Sequence, residues 1–420
     1  MQKMKQIEFF PDGVTPIDSW FYNTEIPSLC DLGKQYNIAD YGAKDDGCIY
    51  TKEIQSAIDK AHESGGGVIV VPKGTYMSGA LFFKAGVNLY LEEGGVIKGS
   101  DDICDYPLCE TRIEGQCRLY FPALINADSN DGFTLCGKGT VDGNGEKAWK
   151  AFWLRWKWNK KLSNLDEQRP RLLFVSNSSN VTIAEATLQN SHFWSTHIYK
   201  CNHVKYLNCT IQAPHSPVGA PSSDAIDIDV CSDVLIKGCY FNVNDDSVVL
   251  KGGRGPNAAE INGNGENHRV LVEDCTYGYC HGCLTCGSEA IHNKNVIVRR
   301  CHVEKTIYLL WFKLRNDTSQ HYEFIRLEDI SANQATNFIN LNLIGENSYK
   351  DLFSIVNDVT LKNCDINCNV FYNVSTVEGR TSAKNISFEN VCVTCVESRF
   401  DKNIVENTSV NGLTVNGNPI

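Results

Sequence analysis

The chain has 420 residues, 42% of them hydrophobic and 21% charged, enough apolar content for two ordinary domains or one elongated one, and no apolar run reaches the ~18 residues of a membrane span. A net charge of −11 leaves no basic footprint for nucleic acid, although an acidic protein still binds an acidic ligand wherever its basic residues are gathered.

Residues 1–35 carry Pro11, Pro16 and Pro27 and little periodicity, so they are expected to wrap the outside of the regular structure that begins near Tyr36. Met1–Gln6 lead into Ile7-Glu8-Phe9-Phe10-Pro11 without the apolar core of a signal peptide, which points to a cytoplasmic location, or to secretion or the periplasm if an export signal has been removed. From Tyr36 to Ile420 no linker composition occurs, and a single domain is expected over 36–420. Thr51 to His62 places Ile54, Ala57, Ile58 and Ala61 on one face of a helix ended by Gly65-Gly66-Gly67, and its expected task is to cap the first coil of a solenoid. Short strands are predicted at Val68–Val71, Ala80–Phe83 and Val87–Leu91.

Glu146 to Gln168 interrupts this pattern. Trp149, Phe152, Trp153 and Trp156 stand at helical spacing, among Lys147, Lys150, Arg155, Lys157, Lys160 and Lys161. Two readings stay open: a short helix packing its aromatic face on the solenoid, or rings stacking on a sugar whose carboxylate meets a Lys or Arg.

Nine segments then repeat one short pattern of alternating apolar and polar residues, marked by Val181, Val204, Val234, Val270, Val296, Ile325, Val359, Ile386 and Leu413 at spacings of 23, 30, 36, 26, 29, 34, 27 and 27. Such spacing without helices predicts an all-β solenoid, a parallel β-helix. Five positions after the marker stand Cys209, Cys239, Cys275, Cys301 and Cys364, with Ala186, Ile330 and Val391 in equivalent coils. A position shared by Cys, Ala, Ile and Val is a packing position, so free buried thiols are expected rather than disulfides. Seven Asn-x-Ser/Thr sites, Asn177, Asn180 and Asn385 among them, read as turn asparagines.

Acids and a histidine hang on neighbouring coils. After an insertion at Ala213–Ser222 come Asp224-Ala225-Ile226-Asp227, then Asn244-Asp245-Asp246, then Cys280-His281-Gly282. Asp245 and His281 both stand eleven residues after their markers, so stacking sets them about 4.8 Å apart. Asp245 and Asp246 enter one cleft only if the chain bends beside Asn242 and Asn244. Crowded carboxylates suit glycoside hydrolysis, because mutual repulsion raises one pKa and keeps that group a proton donor.

These runs, with Tyr41-Gly42-Ala43-Lys44-Asp45-Asp46-Gly47, Gly65–Tyr76, Asn190-Ser191-His192-Phe193-Trp194 and Gly287-Ser288-Glu289, resemble glycoside hydrolase family 28, the polygalacturonases, over roughly Tyr36 to Ile330. The resemblance implies a right-handed parallel β-helix. It also implies Asp245 as the general acid, Asp224 and Asp246 as the groups that hold and deprotonate water, and His281 beside the acid. The implied substrate is an α-linked, galacturonic-acid-containing pectic oligosaccharide, with no cofactor or metal. Three acids, two of them able to share a water, suit inversion. The absent signal, together with the insertions at Glu146–Gln168 and Ala213–Ser222, placed to close one end of a cleft, points to attack from the chain end. The family's Arg-Ile-Lys clamp appears here as Trp311-Phe312-Lys313, with Arg315 two residues on. Lys313, Arg315, Lys251, Arg254, Asp227 and Trp311 are therefore the substrate-binding candidates, and rhamnogalacturonan fragments or substituted galacturonides stay open. A calcium-dependent pectate lyase would recast the aspartates as metal ligands, and a carbohydrate-binding solenoid would need no acid pair. Cys280, Cys283 and Cys286 have iron–sulfur or zinc spacing but no fourth Cys in place, and in a straight strand 283 would face away from 280 and 286. Oligomeric state is not legible.

Overall fold

The computed structural model describes residues 7–344 and 351–420, in which the repeats pair coil upon coil as parallel strands. Val181 pairs with Val204, and the row continues through Val234, Val270, Val296, Ile325 and Val359 to Ile386, all buried. Alternation puts these side chains inside, where each sheds water for about 1.5–3 kcal/mol. The residue before each marker bends the chain: Asn180, His203, Asp233, Arg269, Asn295, Phe324, Asp358 and Asn385 all have φ between 51° and 58°. Asn and Asp tolerate that region because their short side chains bond locally. Arg269 is held there by paired bonds of 2.6 and 2.7 Å to Asp233, the corner residue one coil earlier. Asn177, Asn180 and Asn385 are all such left-handed turn residues, as expected.

Leu413 does not continue the marker row. Ser387 pairs with Ser409 and Val391 with Leu413, so the last coil is shorter than the 27-residue spacing assumed, and Leu413 extends the cysteine row instead. That row is a stack of free thiols, as are all 19 cysteines. Each thiol donates to the carbonyl two residues back, Cys275 to Glu273 at 3.3 Å and Cys301 to Arg299 at 3.2 Å among them. A corner carbonyl thus gains a weak donor that Val or Ala would not supply.

Helix α1 (Thr51–Glu63) buries Ile54, Ala57, Ile58 and Ala61 completely against the first coil. In the N-terminal extension Phe10, Ile17, Phe21 and Leu32 lie on outward apolar residues of successive coils, Ala184, Leu207, Leu235 and Leu271. Met1–Gln6, on which the expectation of a missing leader rests, lie outside the described residues. Helix α2 (Glu146–Trp158) divides its aromatic residues between the two readings: Trp149 and Phe152 are buried, whereas Trp153 and Trp156 stay partly exposed. An antiparallel hairpin, Cys109–Ile113 with Gln116–Tyr120, departs from the coils and has no counterpart in the repeat pattern.

Candidate active site

Three consecutive coils are hydrogen-bonded at their corners: Ala225 N–H to Asp246 O at 2.9 Å, Ser247 N–H to Gly282 O at 2.7 Å and His281 N–H to Asp245 O at 2.8 Å. The phase match therefore holds in space. The ring of His281 stands with Nδ1 3.6 Å from Asp245 Oδ1. Asp224, Asp245 and Asp246 each bring a carboxylate oxygen within 4.8 Å of the others. Both adjacent aspartates enter the cleft because the strand slips register between Phe241 and Asn242, and Asn244 is anchored sideways through its amide to Ala220 O at 3.1 Å.

The three acids differ in surroundings. Asp224 and Asp246 are buried, while the side chain of Asp245 is 27% exposed and forms the edge open to the cleft. Burial, with Asp245 and Asp227 nearby, pushes Asp224 well above the ordinary carboxylate range. Burial acts on Asp245 too, but the hydrogen bond and charge of His281 outweigh it and hold Asp245 low. The same partnership overcomes the burial of His281 and raises its imidazole. Lys313 sets its ammonium 2.5 Å from Asp246 Oδ2, and against its burial Asp246 and Asp245 hold it protonated.

Of the remaining candidates, Trp311 lies in the same ladder row as Asp227, through Val249 and Thr285, and its ring carries the Lys313 ammonium 3.9 Å from its centre. Asp227 and Lys251 sit behind the surface. Lys251 is 5% exposed, its ammonium 4.0 Å from Asp224, 3.6 Å from Asp227 and 3.1 Å from Glu289. Arg315 is forked onto Asp317 at 2.6 and 2.7 Å and reaches Glu289 at 3.4 Å, and Arg254 pairs with Glu114.

Sequence reasoning assigns no role to Glu289, Arg112 or Asp229. Arg112, from the hairpin, forks onto Asp229 at 2.9 and 3.2 Å in a buried pair. Glu114 and Gln116 hold Arg254, and Gly115 packs so closely on Gly253 and Glu289 that an added Cβ would lie 2.9 Å from the Glu289 side chain. The hairpin therefore packs on the Asp229 side of the carboxylate trio, against Arg254, Gly253 and Glu289. The Ala213–Ser222 insertion and α2 meet where Trp153 Nε1 donates to Gly219 O at 2.6 Å.

Two alternatives meet physical obstacles. Calcium at the aspartates would have to displace the Lys313 ammonium and the His281 imidazole, which already balance the carboxylates, and calcium requires six to eight oxygen ligands. Among the described residues the three cysteines do not form a converging ligand group. Their facing differs from the straight-strand expectation: Cys280 and Cys283 touch at 3.6 Å and all three are buried, because the chain bends at the corner containing Gly282.

Residues 108–410 match the family model of the glycosyl hydrolases family 28. The chain is 25% identical over 338 residues to a probable polygalacturonase of Vitis vinifera, covering 78% of this chain and 60% of that protein. It is 26% identical over 323 residues to an exo-poly-alpha-D-galacturonosidase of Dickeya chrysanthemi, covering 66% and 51%. It thus spans about half to two thirds of the length of these curated relatives. The structure of a hyperthermoactive exopolygalacturonase from Thermotoga maritima superposes with a TM-score of 0.79 over 94% of each chain, at 22% identity, a likeness of fold.

Proposed function

The chain belongs to glycosyl hydrolase family 28, and from that premise we propose that it hydrolyses α-linked galacturonan oligosaccharides from the chain end, with inversion at the anomeric carbon. The observation that supports this best is the carboxylate trio with the Arg112–Asp229 hairpin packed on one side of it, which in this reading closes one end of the cleft. A closed end admits a terminal sugar and excludes a continuing polymer.

In this reading Asp245, the carboxyl at the open edge, protonates the glycosidic oxygen as the C1–O bond breaks. Asp224 and Asp246 hold one water and accept its proton as its oxygen attacks C1 from the opposite face, so one proton is given and one taken. A water bonded to two oxygens at ~2.8 Å spans about 4.4 Å between them, a span that Asp224 and Asp246 can bridge. Inversion rests on that shared water and on the family, because Asp245 stands nearer its partners than the ~6.5–9.5 Å usual between the two carboxyls of an inverting enzyme. In the free site burial and its neighbours push Asp224 up while His281 holds Asp245 down. Bound sugar would strip water from the exposed edge of Asp245, raise its pKa and favour its protonated form. Lys313, lodged between Asp246 and the Trp311 face, is the cation this reading assigns to an incoming uronate, with Arg315, forked onto Asp317, as the second candidate. Lys251 and Asp227 position the catalytic acids from behind.

Defined oligogalacturonides should release a single small product from the first minutes, and a ladder of intermediate sizes would contradict end-on attack. Rhamnogalacturonan oligosaccharides run in parallel test the alternative that Trp311, in place of the clamp arginine, suits. The pH profile should also carry the His281–Asp245 pair. Raised in the folded protein, His281 keeps its proton above the usual 6.5, so its contribution is full below that value and fades as pH climbs through the raised one. The alkaline limb of kcat/KM should accordingly lie above pH 6.5 and move or vanish in His281→Asn.

A further inference from the structure

On the outer surface of two adjacent coils, His292 opens the strand His292–Arg315 and His321 opens the strand His321–Ile344, and the two are ladder partners. Their rings lie nearly parallel, with centroids 4.8 Å apart. Glu323 projects to the same side as His321 at period two. Its Oε1 lies 2.9 Å from His292 Nε2 and its Oε2 lies 3.2 Å from His321 Nε2. One ligand atom from each of the three falls within 4.8 Å of the other two.

We propose that His292, His321 and Glu323 form a binding site for a divalent transition-metal ion of the zinc class, clipping one coil to the next. Ligand bonds of ~2.0–2.1 Å to a tetrahedral ion place neighbouring ligand atoms about 3.3 Å apart, close to the two nitrogen–oxygen distances already present. The second nitrogen of His292, Nδ1, lies 3.1 Å from Glu266 Oε2. A metal-bound imidazole commonly gives its other N–H to a carboxylate in this way, which fixes the tautomer that turns the Nε2 lone pair to the ion. Lys294 holds Glu266 at 2.9 Å, keeping that carboxylate in the outer, orienting position. Glu323 and Glu266 also border a surface cleft of about 430 Å³, through which an ion enters and water completes its coordination. Two imidazoles and one carboxylate favour zinc, cobalt, nickel or copper over calcium or magnesium. The site shares no residue with the carboxylate trio and does not depend on the hydrolase reading.

The test titrates untagged, chelator-stripped protein with Co²⁺, read by visible d–d absorption, and with Zn²⁺, read by competition and by thermal shift. Wild type should bind one ion per chain, at least tenfold more tightly than Glu323→Gln and the His292→Ala/His321→Ala double variant, and should melt higher with Zn²⁺. Glu323→Gln keeps shape and volume, so its circular dichroism separates lost binding from lost fold. Equal affinity in wild type and both variants, or no saturable binding by wild type, would overturn the proposal.

Discussion

Asp245→Asn is expected to lower kcat by about 10²- to 10⁴-fold, the range that general acid catalysis supplies, while KM changes only a few-fold. The amide keeps the shape of the carboxylate but has no acidic proton for the leaving oxygen. Because Asp245 is the most exposed of the three acids, its replacement should leave the melting temperature and circular dichroism of the protein nearly unchanged. The loss should be smallest on a substrate whose leaving group needs no proton, such as an activated aryl galacturonide. Retention of wild-type turnover on oligogalacturonides by a folded Asp245→Asn protein would remove Asp245 from the mechanism and favour a carbohydrate-binding solenoid.

Lys251→Met should cost about 3–5 kcal/mol of stability, the usual result of deleting one partner of a buried ion pair. Its ammonium faces three carboxylates, and despite burial Glu289, Asp227 and Asp224 raise it well above an ordinary lysine. In return Lys251, with Ser288 and Arg315, overcomes the burial of Glu289 and holds it low. Asp227, whose oxygens find no hydrogen bond, is raised by burial with Lys251 as the opposing charge. With the ammonium gone, the folded-state pKa of all three acids must rise. A carboxyl with a raised folded pKa costs stability increasingly as pH climbs through its unfolded value of ~4, so the deficit of the variant against wild type should shrink as pH falls from 7 to 5. Lys251→Arg should recover part of the loss. A deficit under ~1 kcal/mol, or one indifferent to pH, would contradict the picture of a buried cation neutralising acids.

How much of this is legible in the sequence differs by residue. Coil phase is readable because one apolar residue per coil must enter the core, so counting from Val234 and Val270 is enough to set Asp245 above His281. The same logic fails at Leu413, where a shortened coil lets a buried Leu stand in the cysteine row, and burial alone cannot tell one inward row from another. The cysteine row is visible, but not the carbonyls its thiols serve, since those bonds depend on corner geometry. The Arg112–Asp229 pair is out of reach: its partners lie 117 residues apart, and the hairpin obeys no repeat. Asp229 does carry a hint, as an outward acid at period two from Asp227. The facing of Cys283 departs from expectation because alternation holds only in straight strands, and the corner at His281-Gly282 is where the strand bends.

The central claim is that stacked coils gather Asp224, Asp245, Asp246 and His281 around one water that attacks a glycosidic carbon. Proton NMR of the first product formed from an α-linked oligogalacturonide, recorded before the sugar mutarotates, tests this most directly. The account predicts that the β-anomer appears first and converts to the equilibrium mixture. An α-anomer appearing first would mean a covalent intermediate, and the vinyl proton of an unsaturated uronate would mean elimination, either of which would contradict it.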